Sequence, residues 1–580
     1  MKEVMIMLYN KEKFEQMLFE NLKSNDELMK EWKENPYYMD SVKATKFWGE
    51  VKKAPMVALV GDYDVDGVCG IYIMGKSIKS VCPDKKIYMR IPRRFSEGYG
   101  INEDIANEIM EKCPKGTVVI TVDNGITAAS TLEKLETNGY PVLMTDHHKK
   151  KESDPIPNVT FAIDPVVDGI NDAFNYKGWC GAAVAFKLCE QFISESLAKE
   201  LECFAGVATI ADAMELREAN WGLVKKTIDS FRKGIAPSQL TNILAALNQD
   251  PLFIDEESIG WYLGPCMNAP GRLDDRGGSK VLSYLFAPSE EKLNEIVDFN
   301  TNRKLLRDDQ LAKVIAQIEA EGKEKDCPIW VVTPNLHEGI IGILAGKISE
   351  TYGVPAIVGT FIDENQSIVK ASSRTAGDFN LFKHLQYIAE DEIRAGKYGK
   401  YSDDMPKDEA DAIVKKALEN WYIKFGGHEA AAGLTMEYDK FVAASKKQVE
   451  RPTLEQKKST IISSDKIGEI NNILNHFRPF GSGHKAPSFA MEFDFEKENG
   501  RMIGKDKNHL MAEPKDKAYK IQHFYHDPNS LSDKEHFGMI GNIGGTSYQG
   551  IETPTFKVED VYDLEAERQI ETDKNIDHIR

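Results

Sequence analysis

The chain has 580 residues, 42% apolar and 28% charged, proportions of a globular protein with several domains and not of a fibrous or disordered one. Its 73 Lys and Arg stand against 92 Asp and Glu, a net charge of −19 that excludes a general polyanion binder, because like charge repels a phosphate backbone at long range. Nothing approaches the run of about eighteen apolar residues that a membrane span needs, the N-terminus lacks a signal-peptide pattern, and the eight cysteines between Cys69 and Cys327 form no CxxC pair, so a cytoplasmic protein with reduced thiols is expected.

In chain order, residues 1–50 read as a charged helical segment ending near Phe47-Trp48. Met56–Val60 reads as a buried strand, followed by Gly61–Gly67 and a helix carrying Val68, Ile71, Tyr72 and Ile78. Val118–Val122 is expected as a second strand ending in Asp123-Asn124-Gly125. Val142-Leu143-Met144 is a third, ending in Thr145-Asp146-His147-His148, and Thr160–Ile163 a fourth, ending in Asp164-Pro165. Strands alternating with helical patterns predict a parallel α/β sheet, whose ligands gather beyond the C-terminal strand ends. The ionisable residues fall at those ends. Residues 178–320 read as mostly helical, with Leu311, Val314, Ile315 and Ile318 marking one face of a connecting helix. A second α/β region is expected over 325–450: strands Ile329–Thr333, Pro355–Val358 and Ser367–Ser372, and a helix Gly339–Tyr352. The short β-like runs and turn residues of 453–565 predict a small β-barrel, followed by a charged tail.

Asp62, Asp64 and Asp66 occupy every second position, so in an extended segment their carboxylates converge. Uncompensated, that is repulsive, and a multivalent cation resolves it. A calcium loop of the EF-hand type is disfavoured because this segment follows a strand. Asp123 adds a carboxylate from the neighbouring strand end, and Asp146-His147-His148 adds imidazoles from a third. One imidazole can ligate while the other reaches substrate, with Asp146 orienting a ring. Carboxylates mixed with imidazole suit manganese and, less well, magnesium.

Asp62–Gly67, Val122–Gly125 and Asp146-His147-His148 resemble the first three motifs of the DHH phosphoesterases, and of RecJ single-strand exonucleases in particular. The resemblance continues in order. Gly181–Leu188 is similar to the family's Gly-rich helix, Ala208–Asp212 to its fourth motif and Asn268–Asp274 to its NAxGRL segment. His337–Ile343 and Phe425–His428 resemble the DHH-associated domain, and Arg478–His484 the start of RecJ's oligonucleotide-binding barrel. The Gly-Ser-x-Arg-Ser element appears as Ala371-Ser372-Ser373-Arg374-Thr375, while Asp164 stands where RecJ proteins often have Asn and Pro270 where a small residue is usual.

The resemblance implies an α/β fold: a helical segment (1–50), a parallel-sheet DHH core (51–300), a connecting helix (301–324), a second α/β DHH-associated domain (325–450), an OB-like β-barrel (451–565) and a tail (566–580). It implies a metal-dependent exonuclease acting on single-stranded DNA, 5′ to 3′, with two Mn2+ or Mg2+ ions. Asp62, Asp64, Asp66, Asp123, His147, His148 and Asp212 would be catalytic. Asp64 and Asp123 would hold one ion, with Asp62 beside them, and Asp66, Asp123, His147 and Asp212 the other, with Asp123 bridging. His148 would meet the scissile phosphate, and Arg272, Ser372, Arg374, Gly426, Gly427 and His428 would bind strand phosphates. The implied partners are single-stranded DNA and a single-strand-binding protein or helicase, with no membrane, for a monomeric chain.

Basic groups answer the charge problem. Arg90, Arg93 and Arg94 precede the second strand, and Lys149-Lys150-Lys151 follows the histidines. Arg501, Lys505, Lys507 and His509 interleave with Tyr519, Phe524 and Tyr525, a pattern with which a barrel can track phosphates and stack bases. Each cluster taken alone fits a solvated face equally well. Two other readings stay open: a DHH phosphodiesterase for short oligonucleotides or cyclic dinucleotides, which generally lacks the barrel, and a non-catalytic single-strand-binding scaffold, against which the full set of motif acids and both histidines argues.

Overall fold

The computed structural model describes residues 6–8, 10–21, 39–150, 154–375, 379–395, 421–451, 459–504, 509–524, 536–548 and 551–562, with single positions at 27, 30, 377, 417 and 564. The N-terminal segment is not wholly helical. It opens with strand β1 (Ile6–Leu8) and helix α1 (Lys11–Asn21), and β1 pairs in parallel with a strand at Ser459–Ile461, more than four hundred residues away. Phe14 and Leu18 of α1 sit in the C-terminal core. Helix α2 (Ser41–Lys53) is N-capped by Asp40 and buries Ala44, Phe47, Trp48 and Val51, one helical face, against the first large domain.

That domain is built on β2 (Met56–Val60), β3 (Lys86–Arg90), β4 (Val118–Val122), β5 (Val142–Thr145) and β6 (Phe161–Ile163), all parallel in the order β3-β2-β4-β5-β6. Register sets the site: Val60 pairs with Thr121, Val122 with Thr145 and Thr145 with Ile163, so Gly61–Asp66, Asp123, Asp146–His148 and Asp164 all leave one edge of the sheet. Four of the five strands match those expected. The fifth, β3, lies at the sheet edge with partly exposed side chains and lacks the solid apolar run of β2 or β4. Helix α3 (Val65–Val81) follows β2, and α4 (Gly181–Cys189) and α5 (Glu195–Ala211) pack beside it over a common apolar core.

Helix α6 (Gly264–Leu273) carries the NAxGRL-like segment and lies along α7 (Glu290–Ala320), which begins well before the expected start at residue 301. Ser289 caps α7 by accepting from the Lys292 amide, and no Gly or Pro interrupts its 31 residues.

The second sheet comprises β7 (Ile329–Val332), β8 (Ala356–Phe361), β9 (Ile368–Arg374), β10 (Lys424–His428) and β11 (Ala431–Glu437), ordered β10-β11-β9-β8-β7. Only β7 and β8 run parallel. Helix α8 (Ile341–Tyr352) ends at Gly353 in the left-handed region, a glycine C-cap.

The C-terminal domain is an OB-like eight-stranded sheet. It adds β12 (Ser459–Ile461), β13 (Ser488–Asp494), β14 (Gly500–Ile503), β15 (His509–Ala512), β16 (Lys520–His523), β17 (His536–Tyr548) and β18 (Ile551–Tyr562) to β1, in the order β1-β12-β13-β17-β18-β16-β15-β14. Helix α9 (Ile467–Leu474) and the rings of Phe477, Phe489, Phe537 and Phe556 fill its core. All eight cysteines are free thiols, and among the described residues no helix is long and apolar enough to cross a membrane.

Candidate metal centre and phosphate site

The strand-end loops bring the expected acids together. Asp66 and Asp123 are buried side by side, and His147 Nε2 lies 3.0 Å from Asp123 Oδ1, 3.5 Å from Asp66 Oδ2 and 3.7 Å from Asp212 Oδ2. Two sets have ligand atoms within 4.8 Å of one another: Asp66, His147 and Asp212, and Asp123, His147 and His148. His147 is the residue common to both.

The local chain is shaped for this convergence. Gly67 lets the first turn of α3 fold against the loop, where a Cβ would come within 2.4 Å of the Asp62 amide nitrogen. At Gly181 a Cβ would strike Asp123 Cβ at 2.5 Å. Bare of it, the N-terminus of α4 reaches the cluster and donates Gly181 N–H and Ala182 N–H to the two oxygens of Asp66, at 2.6 and 2.8 Å. Asp123 itself sits at φ 63°, a left-handed conformation costly for an L-residue and held by its surroundings. Asn124 ties the ends of β2 and β4 together by donating to Val60 O and Val122 O.

The electrostatics ask for a cation. Burial, reinforced by Asp66 and Asp64, pushes the Asp123 carboxyl far above its ordinary value; burial with Asp64 does the same to Asp62, and burial with Asp66 raises Asp64. Burial, with Asp66 and Asp64, lifts Asp212 to about 8. Asp123 Oδ1 and His147 Nε2 lie 3.0 Å apart, and both are buried without a hydrogen-bond partner of good geometry. Carboxylates plus an imidazole nitrogen are the donor set of manganese or magnesium, and these residues fit such an ion.

His148 is set apart by its support. Asp146 is buried at the end of β5 and accepts from His147 N–H, from His148 N–H and, at 2.7 Å, from His148 Nδ1. Burial alone would lower the His148 pKa, but the Asp146 bond and charge outweigh it and raise the imidazole to about 9. His147, without such a partner, is held down by burial.

Asp64, expected as a metal ligand, also serves the fold through one of its two oxygens. Its Oδ1 caps α3 by accepting from Asp66 N–H and Gly67 N–H, and it belongs to neither metal-capable set. Asp62 accepts from Gly100 N–H at 3.3 Å.

Near Asp64 lies a group of opposite sign. Burial, with Arg94, Arg303 and Arg374 as like charges, drops the Arg272 guanidinium to about 9, while Asp64 opposes the shift. Arg374 donates to Ser372 Oγ at 3.2 Å, and both crowd Gly342 in the first turn of α8. Ser372 pairs with Gly433 and Gly433 with Gly426, so a row across β9-β11-β10 runs from Ser372 over two glycines whose Cβ positions are open space. The next residue, Gly427 at φ 143°, is closed in by its partner strand, where a Cβ would meet Ala431 O at 2.3 Å, and the side chain of His428 lies outside the described residues.

Several functional contacts escaped sequence reasoning. Tyr99 donates to Asp123 O at 2.7 Å and lies 3.0 Å from His148 Nδ1. Its only signal was an aromatic between two glycines. Arg94 stacks on the Tyr63 ring at 4.6 Å and joins the arginine group, whereas Arg90 is spent on Glu97 and Glu108. Gly433, between Ser372 and Gly426, carries no local sequence signal. In the C-terminal domain Tyr519 bonds Glu498 at 2.6 Å and packs against the core, while Phe524 is 52% exposed beside His509. Lys151, Lys505, Lys507 and Tyr525 lie outside the described residues.

Residues 56–212 match the family model for the DHH family N-terminal domain, and residues 462–560 that for the RecJ OB domain. The chain thus carries a DHH-family N-terminal domain and a RecJ-type OB domain. It is 27% identical over 490 residues to the single-stranded-DNA-specific exonuclease RecJ of Bacillus subtilis, covering 82% of this chain but 57% of that relative's length. It is 26% identical over 495 residues to RecJ of Salmonella typhimurium, with 80% and 79% covered. The fold matches the crystal structure of Thermus thermophilus RecJ in complex with Mn2+ at a TM-score of 0.68 and 19% identity, over 97% of this chain and 79% of that one.

Proposed function

We propose that this RecJ-like chain is a metal-dependent exonuclease that hydrolyses phosphodiester bonds of single-stranded DNA, 5′ to 3′. One observation carries the reading: an acid–histidine cluster with Asp123 Oδ1 and His147 Nε2 buried lies near a largely half-buried arginine group. The first set attracts cations and the second phosphates. The curated relatives named single-stranded-DNA-specific exonucleases support the substrate, and solved RecJ structures with Mn2+ or Mg2+ support the metals.

Asp66, Asp123, His147 and Asp212 would hold the ions, with Asp62 and Asp64 shaping the loop around them. Two ions, when bound, supply a hydroxide nucleophile at neutral pH and charge stabilisation for the displacement. His148, kept protonated by Asp146, meets the scissile phosphate with a positive N–H. Tyr99 fixes its ring. Arg272, Arg374 and Ser372 grip strand phosphates, and the Gly426-Gly427 backbone admits the chain closely. In this division, residues 51–300 carry the chemistry, 325–450 hold the phosphate end and 451–565 hold the outgoing strand. A helicase or single-strand-binding protein suits this reading as the source of the strand, and the chain acts as a monomer.

Digestion of a 5′-labelled single strand with Mn2+, beside a duplex, a short RNA and a cyclic dinucleotide, tests the proposal. The expected result is early release of labelled mononucleotide from the single strand. Preference for the cyclic dinucleotide or short RNA would transfer the activity to the phosphodiesterase class.

A further inference from the structure

Asp212 ends α5 and opens a short loop that the core holds through buried Leu216 and through bonds from Tyr176 Oη to Arg217 O and from Asn220 Nδ2 to Glu215 O. Ala213 and Glu218 both adopt left-handed φ, 54° and 47°, conformations that persist only where surroundings over-determine them. Part of what surrounds this loop belongs to the C-terminal domain. Leu216 N–H donates to Ser482 O at 2.7 Å, and Arg217 Nε donates to Gly483 O at 2.6 Å.

The turn that offers those carbonyls is itself rigid. Gly481 and His484 exchange backbone hydrogen bonds at 2.9 and 3.1 Å, and His484 Nε2 lies 2.8 Å from Phe477 O. It fits the loop closely: a Cβ on Gly481 would meet Leu216 Cδ1 at 2.7 Å, and one on Gly483 would meet Arg217 Nε at 3.0 Å. A second anchor keeps the domain seated. Buried Glu256 of the core accepts from Arg478 at 2.5 Å and from Phe480 N–H at 3.0 Å, and Arg478 also donates to Ile543 O.

We propose that the Gly481–Gly483 turn positions Asp212, so that the C-terminal domain is part of the scaffold of the metal centre. Leu216 and Arg217 are the positioning residues: they touch neither substrate nor metal, and they set where the chain can place the Asp212 carboxylate. The inference rests on Asp212 being a metal ligand, as read above.

The test uses the full chain and three variants. Arg217→Met keeps the apolar stem and removes the donor, Arg217→Lys restores a donor, and Gly481→Val drives a side chain into the space of Leu216. Three quantities are read: the Mn2+ dissociation constant by calorimetry, amide exchange of residues 212–218 without metal, and kcat on a trinucleotide too short to reach the C-terminal sheet. We expect Arg217→Met and Gly481→Val to weaken Mn2+ binding about tenfold, the scale seen when a ligand loses its supporting contact. The loop amides should exchange faster, kcat should fall, and Arg217→Lys should recover part of each loss. Unchanged metal affinity and loop exchange, with only KM for long strands raised, would overturn the proposal and leave the turn a docking contact. If wild-type Mn2+ binding proves insensitive to Asp212→Asn, the metal reading fails, and the exchange measurement alone decides whether the turn holds the loop.

Discussion

The two α/β domains present their polar residues in opposite ways. The first gathers Asp62, Asp66, Asp123 and Asp146 at parallel strand ends, buried and crowded. The second offers Ser372 and Arg374 from a mostly antiparallel sheet, beside the open glycines Gly433 and Gly426 and near Arg272. Each group is electrostatically frustrated alone: burial, reinforced by like charges, raises the carboxyls of one and lowers the Arg272 guanidinium of the other. A buried cluster of one sign costs stability unless its counter-ion arrives. The difference teaches that acids suited to cations and arginines suited to phosphate come from separate parts of the chain, which is the pairing the proposed function uses.

The sharpest way to break this comparison is Asp123→Asn. Loss of the charge that draws metal should remove several kcal/mol of transition-state stabilisation, a fall in hydrolysis of about a thousandfold, with single-strand binding largely retained. Near wild-type cleavage would end the metal assignment. On the basic side, Arg374→Ala should cost about 1.5–3 kcal/mol in kcat/KM for a 5′-phosphorylated strand, as for other charge-assisted hydrogen bonds. A 5′-hydroxyl strand should lose much less, and an equal loss on both would make Arg374 a structural residue of the second domain.

Asp146→Asn sharpens the division within the first domain. Activity should drop about tenfold, and the His148 pKa, followed by NMR without metal, should fall from about 9 toward the ordinary imidazole value. A His148 that still titrates near 9 would show that Asp146 is not its support. The smallest effect is expected at Asp164, whose carboxyl is raised to about 7 by burial and by Asp146. Folded chain then binds more protons than unfolded chain between the two pKa values. The stabilisation is therefore complete below about pH 4 and is lost as pH rises through about 7. Asp164→Asn should flatten that slope in thermal melts from pH 5 to 8, and an unaltered slope would place the titration elsewhere.

Much of the first domain was legible because its signals are local. A solid apolar run followed by acids or histidines marks a buried parallel strand with a functional end, and β2, β4, β5 and β6 all carry that pattern. Non-local structure was not legible. Ile6–Leu8 is a strand only because it finds Ser459–Ile461, and Lys86–Arg90 lies at an edge with partly exposed side chains. Within the site, the spacing of Asp62, Asp64 and Asp66 promised three equivalent carboxylates. Their backbone partners made them different: Asp64 caps a helix, Asp66 receives two amides of another helix, and Asp62 receives the Gly100 amide. Tyr99 depends on a fold-back from β3 to β4 that no periodicity announces.

The central claim is that the strand-end cluster is the metal centre. Anomalous diffraction from crystals of the full chain grown with Mn2+ tests it most directly. The account predicts peaks in the space shared by Asp66, Asp123, His147 and Asp212, abolished in Asp123→Asn crystals or reduced to a single weak site. Peaks elsewhere, or a cluster that stays empty at saturating Mn2+, would contradict it.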